Sequence, residues 1–243
     1  QDHYATRVNW RLKNTVTLNE SSRGARLGWE ALKYAIARRG VLTYTAGIAH
    51  GFVKTRDDLE TPDVQFHFAH ASYKNPKDRK LDTSPGMTAA ICQLRPESVG
   101  SIHIKSTDPF VAPAIRPNFL STDLDCSTIV AGLRIARALG EAPAFDPYRD
   151  FEMNPGRRCE SDEDLLEYAR ESGATVYHPV GTCKMGQDPM AVVDERLRVH
   201  GLQSLRVVDA SIMPRLVSGN TNAPTIMVAE KAADMILHDF RAG

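Results

Sequence analysis

Tyr177-His178-Pro179-Val180-Gly181-Thr182-Cys183-Lys184-Met185-Gly186 sets an imidazole directly before a proline and ahead of two glycines. Proline disfavours helical geometry in the residue before it, so His178 is pushed towards extended backbone. Gly181 and Gly186 permit tight turns. The run therefore reads as a fixed loop that presents a histidine at a cleft. An unperturbed imidazole titrates near pH ~6.5 and can accept a proton at neutral pH. A lone histidine is more often a satisfied structural group, so the reading depends on what lies around it.

Two further runs lie downstream. Leu205-Arg206-Val207-Val208-Asp209-Ala210-Ser211 reads as a short apolar strand ending at Asp209, the place where α/β proteins put ligand contacts. Taken alone, Asp209 is equally a residue bonding its own turn. Ser218-Gly219-Asn220-Thr221-Asn222-Ala223-Pro224-Thr225 opens a helix predicted over about 223–238. Asn222 precedes it and Pro224 sits in its first turn. Its free N–H groups carry about half a unit of positive charge, suited to an anion. Ile226, Met227, Val228, Ala229, Ala232, Ala233 and Ile236 leave this helix apolar almost all round, which predicts burial.

Further upstream the chain mixes elements. Residues 1–30 read as polar and interrupted by Gly24 and Gly28, with a short helix over 29–39 stopping at Gly40. Residues 41–53 read as irregular strand. Val64-Gln65-Phe66-His67-Phe68 alternates with the period of a half-buried strand. Two more strands are expected over 88–94 and 101–105, joined as a hairpin through Pro96-Glu97-Ser98 and Gly100. A helix over 123–139, capped by Ser121 or Thr122, puts Ile129, Leu133 and Ala136 on one face. Residues 140–160 read as loop. Ser161 and Asp164 form a capping box for a helix ending before Gly173. Strands early and helices late make the fold class α+β.

Composition narrows the function. The chain of 243 residues carries 30 Lys and Arg against 30 Asp and Glu, so no long-range field draws it to nucleic acid or anionic lipid. No stretch approaches the ~18 apolar residues of a membrane span. Cys92, Cys126, Cys159 and Cys183 have irregular spacing without a metal or redox motif. They suggest a reducing, cytoplasmic setting. His67 and His70 are three apart and would face opposite sides of a strand, so no metal site is expected. Phe66, His67, Phe68 and Tyr73 are candidates for a pocket lining, although aromatics on a strand more often belong to the core.

Taken together and in order, the runs HPVGTCKMG, VVDAS and GNTNAPTIM resemble the C-terminal signature of the glucose–methanol–choline oxidoreductases. Gln1-Asp2-His3, the run 93–100 (QLRPESVG) and Ala114-Ile115-Arg116-Pro117-Asn118 fit its choline-dehydrogenase-like bacterial members. The resemblance extends from residue 1 to about residue 237 and is densest over 177–236. It implies a substrate-binding domain on a mostly antiparallel sheet with helices, joined to the C-terminal part of an FAD-binding α/β domain. On that basis residues 1–40 are a junction after the FAD-binding half, 41–177 the substrate-binding domain, and 178–243 the catalytic loop and the return into the FAD-binding domain.

The resemblance also implies roles. His178 matches the family's catalytic histidine, and Asn222 its second active-site position, which is His or Asn. Asp209 and Ala210 match residues that contact FAD near its pyrophosphate and ribityl chain, and Ala223 and Pro224 match those at the flavin ring. The implied reaction oxidises a small-molecule alcohol, with its proton going to histidine and hydride to flavin N5. The family's GxGxxG nucleotide-binding unit does not occur in these residues, so an upstream segment or a second chain is the expected partner. Within the same fold a flavin-containing hydroxynitrile lyase is an alternative. A non-catalytic scaffold is the alternative from another class, and the intact His178 and Asn222 argue against it.

Overall fold

The computed structural model describes residues 1–45, 47–75 and 80–242. In chain order these residues form β1 (Tyr4–Leu12), α1 (Leu18–Ser21), α2 (Gly24–Ala37), β2 (Ala49–Val53), β3 (Val64–Ala69), β4 (Tyr73–Asn75) and β5 (Lys80–Leu81). There follow β6 (Gly86–Gln93), β7 (Ser101–His103), β8 (Ala114–Arg116), α3 (Asp123–Gly140), β9 (Arg149–Asn154), α4 (Asp162–Ser172), β10 (Ala174–Thr175) and α5 (Asn222–Ala242). They belong to two compact units, both discontinuous in sequence. One comprises Ala5–Gln93 and Ser127–Ala174, the other Gln1–Tyr4, Leu94–Cys126 and Thr175–Gly243.

The first unit is a sheet with helices. Its strands run β10-β1-β6-β3-β2, and β9 also pairs with β1. The β1–β6, β6–β3, β3–β2 and β1–β9 pairs are antiparallel. The period-two pattern explains the face each strand buries: Val8 and Trp10 on β1, Val64 and Phe66 on β3, and Ala89 and Ile91 on β6 are buried. α3 buries Ile129, Leu133 and Ala136 completely, the face expected from their spacing. Gly132 lets it approach the sheet closely, because a Cβ there would stand 2.5 Å from the Ile91 Cγ2. Each such Leu or Ile contributes about 1.5–3 kcal/mol of burial free energy. α4 opens with the predicted capping box between Ser161 and Asp164 and buries Leu165 and Ala169.

An ion pair ties α3 to the turn after β9. Arg137 Nη2 donates to Glu152 Oε1 at 2.8 Å and to the Gly156 carbonyl at 3.0 Å. The Gly156 amide in turn donates to Glu152 Oε1 at 2.9 Å. Glu152→Ala removes the acceptor shared by both donors and is expected to cost about 1–3 kcal/mol, the range for hydrogen bonds to charged groups. The shift in urea midpoint at constant m-value measures it.

Several expectations need correction. Residues 4–12 are a full strand, and their alternation of Tyr4, Thr6, Val8 and Trp10 was a readable signal. α2 begins at Gly24 rather than at 29, and ends where Arg38 turns left-handed at φ 52°. Residues 41–43 are a single 3₁₀ turn, and the strand in that segment is limited to β2. β6 and β7 form no hairpin: β6 pairs with β1 and β3, and β7 with β8. The reason lies in the second unit, where the Glu97 and Ser98 amides donate to the Asp125 carboxylate at 2.9 and 2.8 Å. The expected turn residues thereby anchor the start of α3. The segment 140–160 contains β9 and a 3₁₀ turn at Pro143–Phe145.

The second unit packs around two clusters. Val193, Leu197, Ile212, Val228 and Ala232 form one, and Val180, Met213 and Leu216 the other. Residues 205–208 are extended but form no strand, with one isolated bridge joining Arg206 to Arg198. α5 is not buried all round. Val228 and Ala232 face the core, whereas Ile226 (54%), Met227 (59%) and Phe240 (84%) are exposed. Within these residues too few elements exist to cover its other faces.

Candidate functional site

The catalytic-loop candidate is held from the N-terminal end of the chain. The Val180 amide donates to the Gln1 carbonyl at 2.9 Å, and the Gln1 backbone nitrogen donates back to the Val180 carbonyl at 3.0 Å. The Val176 amide donates to the His3 carbonyl at 3.1 Å. Asp2 Oδ1 accepts the His178 amide at 2.9 Å, and its other oxygen accepts the Thr175 hydroxyl. On the far side, the Cys183 and Met185 amides donate to the carbonyls of Ser211 and Ile212 at 3.0 and 2.8 Å. Gly181 has φ +86°, and a Cβ there would lie 3.3 Å from the Met213 carbonyl, so this position requires glycine. Tyr177 is left-handed at φ 63°, an unfavourable conformation for a bulky residue immediately before the histidine.

His178 itself is half-buried. Its Nδ1 lies 2.9 Å from Nδ1 of His3, whose Nε2 lies 3.1 Å from the Leu94 carbonyl. The two rings meet edge to face at 82°. Burial lowers the pKa of His178 below the ordinary histidine value, and the Asp2 carboxylate opposes that shift. Burial lowers the pKa of His3 as well; the Leu94 carbonyl opposes this and the His178 ring adds to it. His178 is therefore neutral near pH 7 and able to take a proton. In the sequence Gln1, Asp2 and His3 carry only a family resemblance and no assigned role. Their contacts to 175–180 leave no local trace in the sequence.

The other candidates lie in the same unit. Asp209 is exposed, and its Oδ1 accepts the Ser211 amide at 2.7 Å, capping the 3₁₀ turn Ala210–Ile212. Ala210 packs against the Val180 cluster. Asn222 is the first residue of α5 rather than the residue before it, and Ala223 and Pro224 follow within the first turn. The Thr221 carbonyl takes the Thr225 amide and hydroxyl at 3.0 and 2.7 Å. Asn222 is exposed and, among the described residues, no hydrogen bond engages its side chain or joins it to His178. Its amide is thus unoccupied by capping. Asp239 holds α5 in place by pairing with both Arg196 and Arg206.

Of the remaining histidines, His50, His67 and His70 belong to the first unit. His67 on β3 stands opposite His50 on β2, with rings edge to face at 4.8 Å, and His70 lies against Tyr44 at 5.4 Å. Phe66 is core and stacks with Phe68 at 6.0 Å. No cluster of three or more His, Cys, Asp or Glu that could hold a metal occurs among the described residues. None of the four cysteines is in a disulfide. No helix among the described residues is long and apolar enough to cross a membrane.

Comparison with known proteins accords with this arrangement. Residues 96–229 match the family model described as GMC oxidoreductase, C-terminal. Alcohol dehydrogenase [acceptor] of Pseudomonas putida is 46% identical over 204 residues, covering 84% of this chain and 37% of that protein. An oxygen-dependent choline dehydrogenase of Escherichia coli O45:K1 is 39% identical over 236 residues, 97% of this chain and 42% of that protein. The chain thus spans about two fifths of the length of these relatives. Among solved structures, a formate oxidase of Aspergillus oryzae RIB40, studied for modification of its FAD, superposes with TM-score 0.88 over 100% of this chain and 47% of its own. Pyridoxine 4-oxidase from Mesorbium loti gives 0.79 over 98% of this chain and 43% of its own. Both are 24% identical and bear on the fold alone. With more than half its length matched by the family model and its loop, turn and final helix in the order of the signature, the chain belongs to the GMC oxidoreductase family.

Proposed function

We propose that this chain supplies the acid–base side of an FAD-dependent enzyme that oxidises an alcohol to an aldehyde or ketone. The observation that carries the reading is His178: a half-buried, neutral imidazole on a loop fastened at both ends. The names of the relatives, alcohol dehydrogenase and choline dehydrogenase, support the substrate class. FAD, when bound, supplies the hydride acceptor. His178 takes the hydroxyl proton of the alcohol. Asn222, whose amide has no partner among the described residues, donates to the same oxygen and orients it. The N-terminal end of α5 opposes negative charge near the flavin ring, with Ala223 and Pro224 beside it. Asp209 and Ala210 meet the cofactor further along. Convergence of His178 and Asn222 on one cavity is part of this reading.

The division of labour follows. Residues 41–177 form the substrate-binding portion, 178–243 return into the flavin-binding portion, and 1–40 join them. A nucleotide-binding segment, in the same polypeptide or a second one, covers residues 205–238, where exposed Ile226, Met227 and Leu237 offer it an apolar face. The setting is cytoplasmic and reducing, in keeping with four cysteines outside any disulfide.

The test uses the complete flavin-loaded protein, mixed anaerobically with a series of alcohols that includes choline. The flavin band should bleach with saturable kinetics. Because burial lowers the pKa of His178, the limiting rate should rise with pH through a value below about 6.5 and then level off. The same shift has a consequence for stability. A histidine whose pKa is lowered by folding contributes stability above its unfolded value, near 6.5, and loses it as pH falls through the folded value. A protein without flavin absorption, or a flavin that no alcohol reduces, would overturn the proposal.

A further inference from the structure

His178 presents two ring nitrogens, and only one can be the proton acceptor. Its Nδ1 points at Nδ1 of His3, 2.9 Å away. The other end of His3 settles the question. Nε2 of His3 lies 3.1 Å from the Leu94 carbonyl oxygen, which can only accept. The Val217 carbonyl also acts on the His3 ring, but the acceptor placed on Nε2 is Leu94, so the hydrogen is assigned to Nε2. His3 is 1% exposed, and a ring so buried is held neutral with a single N–H. That hydrogen is on Nε2, so Nδ1 of His3 is a bare lone pair. Two bare nitrogens do not approach to 2.9 Å without a hydrogen between them. The hydrogen must belong to Nδ1 of His178. Neutral His178 then has no hydrogen left for Nε2.

We propose that His3 is a positioning residue that selects the Nδ1–H tautomer of His178, so that Nε2 is the nitrogen that receives the alcohol proton. The proposal rests on the reading of His178 as the base. The chain of donors runs His178 Nδ1–H to His3 Nδ1, then His3 Nε2–H to the Leu94 carbonyl. When His178 becomes imidazolium, its Nδ1–H bond to neutral His3 becomes charge-assisted and stronger. No proton needs to leave His3. Asp2 is the titratable group that acts on His178, and His178 in turn acts on His3. Asp2 holds the His178 backbone while His3 holds the ring, so position and tautomer are fixed by adjacent residues.

The test is carried out on the complete flavin-loaded protein with ¹⁵N-labelled imidazoles. Two-bond ¹H–¹⁵N correlation spectra are recorded well above the ordinary histidine pKa of about 6.5. Wild-type His178 should give the pattern of a protonated Nδ1 and a bare Nε2. His3→Leu removes the acceptor and should produce a mixture of tautomers. Flavin reduction should then slow by about 10–100-fold, the usual cost of losing a group that orients a functional histidine, with little change in KM. His3→Gln places a carbonyl oxygen to accept from His178 and an amide to donate to Leu94. It should recover most of the rate and the single tautomer. A wild-type His178 protonated at Nε2 would overturn the proposal, as would a His3→Gln variant as slow as His3→Leu. Should His3→Leu fail to fold, the wild-type spectrum alone decides. The spectrum is also independent of the base reading: a wild-type rate in His178→Ala would remove the base and with it the proton-receiving role of Nε2, whereas an Nε2–H signal removes the tautomer assignment whatever that rate.

Discussion

His178→Ala in the complete flavin-loaded enzyme is expected to slow flavin reduction by alcohol by roughly 10²-fold or more, while the protein remains folded and yellow. The two consequences separate because two sets of groups are involved. The imidazole acts on the alcohol proton, an interaction that strengthens as the reaction proceeds, so its loss raises the barrier to chemistry rather than the cost of binding. The flavin-facing residues Asp209, Ala210, Ala223 and Pro224 are untouched. The loop also survives, because Asp2 holds the His178 backbone amide and Gln1 holds Val180. Truncation leaves one neutral lone pair on His3 without its donor, at a cost on the order of 1 kcal/mol. Raising the pH should partly restore the rate, since more alkoxide then forms without a base. Anaerobic stopped-flow at several pH values checks this. An unchanged rate would make His178 a structural residue.

Trp10→Ala is expected to destabilise the fold by about 3–5 kcal/mol, a large share of the 5–15 kcal/mol typical of a whole domain. Trp10 lies on β1, paired with Met87 of β6 and Glu152 of β9, and is 1% exposed. Its indole occupies the space beside Gly140 at the end of α3, where a Cβ would stand 2.3 Å from the ring. Removing the ring opens a cavity between elements already fixed by strand pairing and by the Arg137–Glu152 bond, so collapse is limited. Urea unfolding at constant m-value measures the loss. A change below about 1 kcal/mol would mean that the neighbours close over the site.

Much of the architecture rests on local patterns. β3 was readable because alternating Val64, Phe66 and Phe68 match the strand repeat. The α3 face was readable because Ile129, Leu133 and Ala136 recur at helical spacing, and the start of α4 because Ser161 and Asp164 satisfy each other's amides within one turn. β1 carried the same kind of signal in Tyr4, Thr6, Val8 and Trp10, interleaved with Arg7, Asn9 and Arg11, which made the segment read as polar. The three downstream runs were enough to identify the family because their chemistry is contiguous: a histidine before proline, an aspartate closing an apolar run and a helix start.

Other features depend on partners distant in sequence. The segment after β6 holds turn residues, yet they serve α3, because the Asp125 carboxylate captures the Glu97 and Ser98 amides from 27 and more residues away. The apolar character of α5 says that its faces need cover, but not which of them this chain covers; Val193, Leu197 and Ile212 decide that by packing against Val228 and Ala232. The clearest case is His178 itself. Its identity and backbone geometry follow from Pro179 and its neighbours. The proton on its ring follows from His3, 175 residues away, and from a carbonyl at Leu94. A hydrogen bond is set by distance and direction in space, so a one-dimensional pattern carries residue type and period but not which lone pair a side chain will face.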